Sequence, residues 1–128
     1  MKKLTVLFLF LLTGCSLVFT HIDYSNPPPA DWPQLKIEEH YADEATVKKM
    51  CALDKYAIIL GCAHPEFDLG KCVIWYENGA GDWVKKHEHA HCRGYDHPGS
   101  TTMRDAWERY KDGLKEYENW QKLHPYQK

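Results

Sequence analysis

Eleven consecutive residues, "HEHAHCRGYDH" from His87 to His97, constrain the fold more than any other feature of this chain, because they hold four of its eight histidines. His87 and His91 are four residues apart, so on an α-helix their side chains project from one face, one turn apart. Glu88 is displaced by about 100° around the helix axis and so lies beside that face. The spacing predicts a helix that carries two imidazoles able to bind one metal ion.

Gly94 follows His91 by three residues, at the point where this helix must end. A left-handed cap costs glycine little and costs most other residues more. We expect the turn to bring His97 back to the same ion as a third ligand. Three histidines leave a fourth tetrahedral position open, which is typical of a catalytic zinc ion rather than a structural one. The sequence therefore predicts one Zn²⁺ per chain.

The extended pattern HExxHxxGxxH resembles the motif of the metzincin clan of zinc metallopeptidases over these eleven residues. The resemblance implies that His87, His91 and His97 bind zinc and that Glu88 is the catalytic general base and acid. It also implies an edge strand above the helix that aligns a peptide substrate, and Cys72–Asn78 is the expected strand because it immediately precedes the helix. The chain is shorter than typical members, so a minimal zincin domain with the same motif is an equal interpretation.

Other residues near the motif have two interpretations each. Asp96 is expected either to orient a ligand imidazole, by accepting its second N–H, or to form the turn together with Tyr95. His89 points away from the face of His87 and His91, so we expect it at the surface or beside a ligand rather than on the metal ion. Met103 is the candidate for the methionine turn that metzincins have beneath the zinc, but it also opens an apolar helical stripe, which favours core packing.

The chain starts with "MKKLTVLFLFLLTGC", which has two lysines, an apolar run over Leu4–Leu12 and then small residues. This is the layout of a secretory signal, and the apolar run is too short to span a bilayer. "LTGC", Leu12–Cys15, resembles the lipobox of bacterial lipoproteins, which implies cleavage before Cys15 and lipidation of that cysteine. In a Gram-negative cell, Ser16 in place of an aspartate implies an anchor in the outer membrane, facing the periplasm.

Composition supports an exported domain. Removal of residues 1–14 takes Lys2 and Lys3 away and moves the formal charge from −2 to −4. A mildly acidic chain without a basic block gives no electrostatic reason to bind nucleic acid. The two resemblances imply instead a peptide or protein substrate in the envelope and, through the lipid, the membrane.

The cysteines also favour an oxidising compartment. With Cys15 lipidated, an even number remains in a small exported domain, which predicts two disulfides. Three pairings are possible; we prefer Cys62–Cys72, across a hairpin, and Cys51–Cys92, between two helices. Ligation of a structural zinc ion by cysteines is the alternative, although the chain has no CxxC pair.

The predicted organisation is a signal peptide over residues 1–14, a lipidated and proline-rich tether over 15–34, and a metal-binding domain over 35–128. For the tether, the alternative is an arm that packs on the domain through Trp32. Within the domain we predict a small α+β fold with a β-hairpin, a metal helix and an aromatic-rich C-terminal helix. The predicted elements are helix Asp43–Ala57, strands Ala57–His64 and Cys72–Asn78, a helix from Trp83 to about Cys92 capped by Asp82, and a last helix over "TMRDAWERYKDGLKEYENWQKL".

These features together predict a lipid-anchored zinc metallopeptidase of the cell envelope, in which Glu88 activates a water at the open position of the metal. Two alternatives remain open. One is a non-catalytic zinc- or copper-binding lipoprotein, for which Glu88 has no special role. The other is a surface interaction or inhibitor lipoprotein whose C-terminal helix docks a partner.

Overall fold

The computed structural model describes residues 21–51 and 60–125. These residues form a three-stranded mixed sheet and three α-helices, which confirms the predicted α+β class. A short 3₁₀ turn, Phe67–Leu69, joins the second and third strands. The elements in chain order are β1 Lys36–Ala42, α1 Glu44–Met50, β2 Gly61–Glu66, β3 Lys71–Glu77, α2 Asp82–Cys92 and α3 Thr102–Leu123.

Strand β3 is the centre of the sheet, with β1 on one side and β2 on the other. β2 pairs with it antiparallel, which confirms the predicted hairpin, and β1 pairs with it parallel. The core cluster joins β3 to α2 and consists of Cys72, Ile74, Tyr76, Val84 and Cys92. The metal helix is therefore packed directly on the strand that precedes it.

The expectation that Cys72–Asn78 forms an edge strand is wrong, because β1 covers its far side. Strand β1, "KIEEHYA", was not predicted. Its side chains are half-buried or exposed, and most of them are polar. The strand therefore lacks the alternation of apolar and polar residues by which a strand is predicted from sequence. The edge strand beside α2 is β2, against which α2 packs.

Two disulfides form, as predicted, but they join Cys51 to Cys62 and Cys72 to Cys92. Both predicted pairs, Cys62–Cys72 and Cys51–Cys92, are therefore wrong. In the β-ladder Cys62 lies opposite Trp75, three residues along β3 from Cys72. Three residues of strand span roughly 10 Å, beyond the reach of a disulfide. Instead, α2 brings its last residue to the start of β3, and the end of α1 meets β2.

Helices α2 and α3 end close to their predicted boundaries, but α1 is shorter than predicted. Asp43 caps α1, its Oδ1 accepting from the Thr46 N–H at 2.8 Å. The helix ends at Met50 with Cys51 as its C-cap, whereas the prediction ran to Ala57; residues 52–57 and the first residues of the predicted strand Ala57–His64 lie outside the described residues. Gly81, not Asp82, is the cap residue of α2.

Residues 21–34, which belong to the predicted tether, pack on the domain. This part of the chain is therefore an arm, the alternative to a free tether. Ile22 is buried, and the Asp23 N–H donates to the Asp96 carbonyl oxygen at 2.9 Å. The Trp32 Nε1–H donates to the carbonyl oxygen of Cys92, at the end of α2. The predicted signal peptide and Cys15 lie outside the described residues, and within those residues no helix is long and apolar enough to cross a membrane.

Candidate metal centre

The three predicted ligands meet at one point. The Nε2 atom of His91 lies 3.2 Å from the Nε2 of His87 and 3.2 Å from the Nε2 of His97. One ligand atom from each ring lies within 4.8 Å of the others. Tetrahedral coordination with metal–nitrogen bonds of about 2.0–2.1 Å places neighbouring nitrogens about 3.3 Å apart. The spacing therefore suits a single ion held by all three rings.

Backbone carbonyls set the tautomers of two of these rings. The Nδ1–H of His91 donates to the Tyr95 carbonyl oxygen at 2.7 Å, and the Nδ1–H of His97 donates to the His21 carbonyl oxygen at 3.0 Å. Because a carbonyl only accepts, Nδ1 carries the proton, and the Nε2 of the neutral ring carries a lone pair. Two lone pairs that face each other at 3.2 Å repel unless a cation lies between them.

Burial also favours the neutral form of the central ring. His91 is 7 % exposed, and this burial lowers the pKa of its imidazole. A ring that stays neutral near pH 7 keeps its Nε2 available as a ligand. All three donor atoms are imidazole nitrogens, which suit zinc, copper, nickel and iron. The group can hold a metal ion.

The glycine turn is built as predicted. Gly94 has φ +91°, in the left-handed region that favours glycine. A Cβ built on it would lie 2.6 Å from Pro28 Cβ and 2.6 Å from the Trp32 ring, so glycine is also required for space. After this turn the chain runs back past the end of α2, which places His97 beside His91.

Asp96 forms part of the turn that leads into α3. Its buried carboxylate accepts from the Met103 N–H at 2.9 Å, in the first turn of α3. Tyr95 holds His91 through its backbone carbonyl, and its ring packs against Tyr24. The group that orients His91 is therefore the main-chain oxygen of Tyr95 and not a carboxylate.

Glu88, the residue after His87 on α2, is buried against the edge strand β2. It is 6 % exposed, and a Cβ built on Gly61, the first residue of β2, would lie 3.3 Å from its Cγ. This burial raises the pKa of the Glu88 carboxyl to about 7. The carboxyl lies between the metal helix and the edge strand β2, outside the set of three ligands.

His89 lies away from the metal centre, as predicted, and helps form a cleft that sequence analysis did not identify. Its Nε2 lies 2.6 Å from Glu39 Oε1, and that oxygen also accepts from the Tyr76 hydroxyl at 2.9 Å. The cleft has a volume of about 360 Å³ and is lined by Tyr24, Glu39, Lys85, Lys86, His89 and Arg93. Sequence analysis also missed His21, since a role carried by a backbone carbonyl leaves no trace in residue identity.

Comparisons with protein-family models, with curated proteins and with solved structures gave no match. The interpretation of the site therefore depends on its own geometry and chemistry.

Proposed function

We propose that this chain is a zinc-dependent metallopeptidase, anchored through lipid on Cys15 to the bacterial outer membrane and facing the periplasm. The observation that carries the proposal is the convergence of the three Nε2 atoms of His87, His91 and His97 inside an HExxHxxGxxH sequence. A three-nitrogen set leaves one tetrahedral position for a substrate or water, as catalytic zinc sites do.

When bound, zinc supplies a Lewis acid that polarises a carbonyl and lowers the pKa of a water molecule. The protein would hold the three imidazoles so that their Nε2 atoms point towards one ion. His91 and His97 are each fixed by a hydrogen bond from Nδ1 to a carbonyl, so little reorganisation is needed when a substrate binds.

Glu88 would move the proton. It follows His87 on α2, and a carboxyl with a pKa of about 7 can both accept and donate a proton at neutral pH. We propose that it takes a proton from the attacking water and passes it to the leaving amine of the peptide. Its position against Gly61 would place this proton transfer beside the start of β2.

The strand that would align the substrate is β2, in place of β3. One edge of β2 pairs with β3, and within residues 21–51 and 60–125 no strand pairs with its other edge. An extended peptide can add to such an edge through main-chain hydrogen bonds. Because α2 packs against β2, a peptide on that edge would lie near Glu88.

The test is metal analysis combined with peptide-library cleavage, using the chain from Ser16 onward and its Glu88→Gln variant. We expect one zinc per chain in both proteins and cleavage by the parent alone. His89→Ala is the matched control, since this histidine lies on the same helix outside the metal centre, and it should retain both properties. Cleavage by Glu88→Gln at the parent rate would refute the mechanism, and tight zinc binding without any cleavage would favour the non-catalytic alternative.

The exposed half of α3 supports a second candidate, an interaction module. Beyond Gly113 its large apolar side chains are exposed, and they are Leu114, Tyr117, Trp120 and Leu123. An apolar stripe on the surface is typical of an interaction site. In this case a triple His→Ala variant of the metal centre would keep its partner, whereas Tyr117→Ser with Trp120→Ser would lose it, in a pull-down from envelope extract.

A further inference from the structure

A second group of metal-binding side chains lies outside the three-histidine centre. It consists of Cys51, at the end of α1, with Cys62 and His64 on β2, and one ligand atom from each lies within 4.8 Å of the others. Cys62 and His64 are alternate residues of a strand, so their side chains share one face of the sheet. The Nε2 of His64 lies 3.1 Å from the Sγ of Cys62.

The disulfide in this group differs from the other one in its surroundings. The Cys72–Cys92 bond lies in the core, where these two residues are 0 % and 3 % exposed. Cys62, in contrast, is half-buried, and it has an imidazole in contact. Cys51 is 8 % exposed, so a reagent in solution reaches this bond from the Cys62 side, whereas both sulfurs of Cys72–Cys92 are enclosed in the core.

We propose that the Cys51–Cys62 disulfide is reducible in the folded protein and that the reduced pair forms, together with His64, a site for a thiophilic d¹⁰ cation, Zn²⁺ or Cu⁺. Thiolate and imidazole ligands suit both ions. The oxidised pair offers no thiolate, so the site exists in only one redox state. This inference is independent of the peptidase proposal, because it uses none of the same side chains.

The reduction needs a dithiol as electron donor. One thiolate of the dithiol attacks Cys62 Sγ, the more accessible sulfur, and the S–S bond breaks with its electron pair passing to Cys51 Sγ, which takes up a proton. The second thiol of the dithiol then attacks the mixed disulfide and displaces Cys62, which takes up the second proton and becomes a thiol beside His64. In total the dithiol loses two electrons and two protons to the cysteines, and metal binding releases the protons from both thiols.

The backbone already places the three residues at a suitable separation. The Cα atoms of Cys51 and Cys62 are 5.9 Å apart. Two thiolates on one tetrahedral zinc lie about 3.8 Å apart, given metal–sulfur bonds of about 2.3 Å. Rotation about the two Cα–Cβ bonds can open the sulfurs to this distance without moving the strand. In the oxidised pair His64 Nε2 already lies 3.1 Å from Cys62 Sγ, close to the separation of about 3.5 Å that a nitrogen and a sulfur have on one tetrahedral zinc.

The test uses the purified full-length protein, treated anaerobically with increasing dithiothreitol and then alkylated for peptide mass mapping. We expect Cys51 and Cys62 to be alkylated at dithiol concentrations that leave Cys72 and Cys92 paired. Co²⁺ is the spectroscopic probe for zinc, and we expect a second cobalt per chain, with a sulfur-to-cobalt charge-transfer band, in the reduced protein alone. Competition with a chromophoric chelator measures Cu⁺ binding in a parallel experiment.

His64→Ala should weaken binding of this second ion at least about tenfold. Removing a hydrogen-bond partner of a metal ligand typically lowers the affinity about tenfold or more, and removing the ligand itself should lower it at least as much. His64→Ala should leave the thiol count unchanged. His40→Ala is the matched control, since His40 lies on β1 and stacks on Trp75 outside the group. Reduction of Cys72–Cys92 first, free thiols at Cys51 and Cys62 that bind neither ion, or unchanged affinity in His64→Ala would each overturn the proposal.

Discussion

At the scale of single residues, the metal centre depends on groups that hold imidazoles rather than on the imidazoles alone. His91 and His97 each donate from Nδ1 to a main-chain oxygen, which turns both Nε2 lone pairs towards the same point. Gly94 makes this possible, because the chain there adopts φ +91° in a space that Trp32 and Pro28 fill from the other side. A change at this glycine should therefore affect both folding and metal binding.

Gly94→Ala is expected to lower the free energy of unfolding by at least about 1–3 kcal/mol, the cost of a strained backbone, because its Cβ also has no room. Zinc affinity should fall as well, since His97 is carried by the same turn. Urea denaturation and a zinc competition titration measure the two effects. Gly113→Ala is the matched control: nothing lies within 4 Å of a Cβ there, and this mid-helix substitution should stabilise the protein by about 0.5–1 kcal/mol.

Glu88 gives a pH-dependent prediction for the metal-free protein. Burial raises the pKa of its carboxyl to about 7 in the folded state, from an ordinary value of 4.5. Between these pH values the folded state binds more protons than the unfolded state, so the contribution of Glu88 to stability is complete below pH 4.5 and is lost as the pH rises through 7.

Glu88→Gln removes this titration. In protein stripped of metal by a chelator, we expect the variant to gain stability relative to the parent as the pH rises from 4 to 8, by up to about 3 kcal/mol. Urea denaturation at several pH values measures the difference. If the difference in the free energy of unfolding between variant and parent stays constant over this pH range, the raised pKa of Glu88 is contradicted.

At the scale of elements, the metal helix is held by the strand before it. The Cys72–Cys92 disulfide joins the last residue of α2 to the second residue of β3, inside the core cluster. The helix end that this bond fixes is the one from which the glycine turn and His97 follow. The disulfide therefore supports the geometry of the site as well as the fold.

Replacing Cys72 and Cys92 by alanine should lower the free energy of unfolding by about 3 kcal/mol through loop-closure entropy, and further through lost core packing. The Cys51–Cys62 disulfide closes a shorter loop and lies outside the core cluster. Replacing these two cysteines by alanine should therefore lower the free energy of unfolding by less. Urea denaturation of the two double variants measures the order. Equal losses would show that the core position of Cys72–Cys92 adds nothing.

The parts of this structure that the sequence predicts are those encoded locally. The spacing of His87, His91 and Gly94 depends on one helix and its cap, and the predicted convergence on His97 is confirmed. The parallel pairing of β1 with β3 brings together residues far apart in the chain, and so do both disulfides. No short-range pattern encodes such contacts, which is why the disulfide pairs and the identity of the edge strand were predicted wrongly.

At the scale of the whole molecule, the N-terminal arm over residues 21–34 completes the metal centre. It supplies the His21 carbonyl to His97, a main-chain bond from Asp23 to Asp96, and the Trp32 ring against the glycine turn. The far end of the arm is fixed to α3, where Lys111 pairs with Asp31 at 2.7 Å. The third ligand is thus positioned by a segment more than sixty residues away in the chain.

A chain that starts at Asn26 should keep its fold but bind zinc about 10–100-fold more weakly than a chain that starts at Ser16, because His97 loses the acceptor of its Nδ1–H. Competition titration with a fluorescent zinc chelator measures the affinities, and circular dichroism checks the fold. If the two chains bind zinc equally while both are folded, the arm has no part in the site.

The proposed lipid anchor would also limit where the centre can work. His21, which holds the third ligand, follows Cys15 by six residues, and six residues of fully extended chain span about 20 Å. With lipid on Cys15, the candidate metal centre would sit within a few protein radii of the headgroups and would not reach the open periplasm. A peptidase held in this way would cut proteins bound to or emerging from the bilayer, and it would meet freely diffusing ones only at the membrane surface.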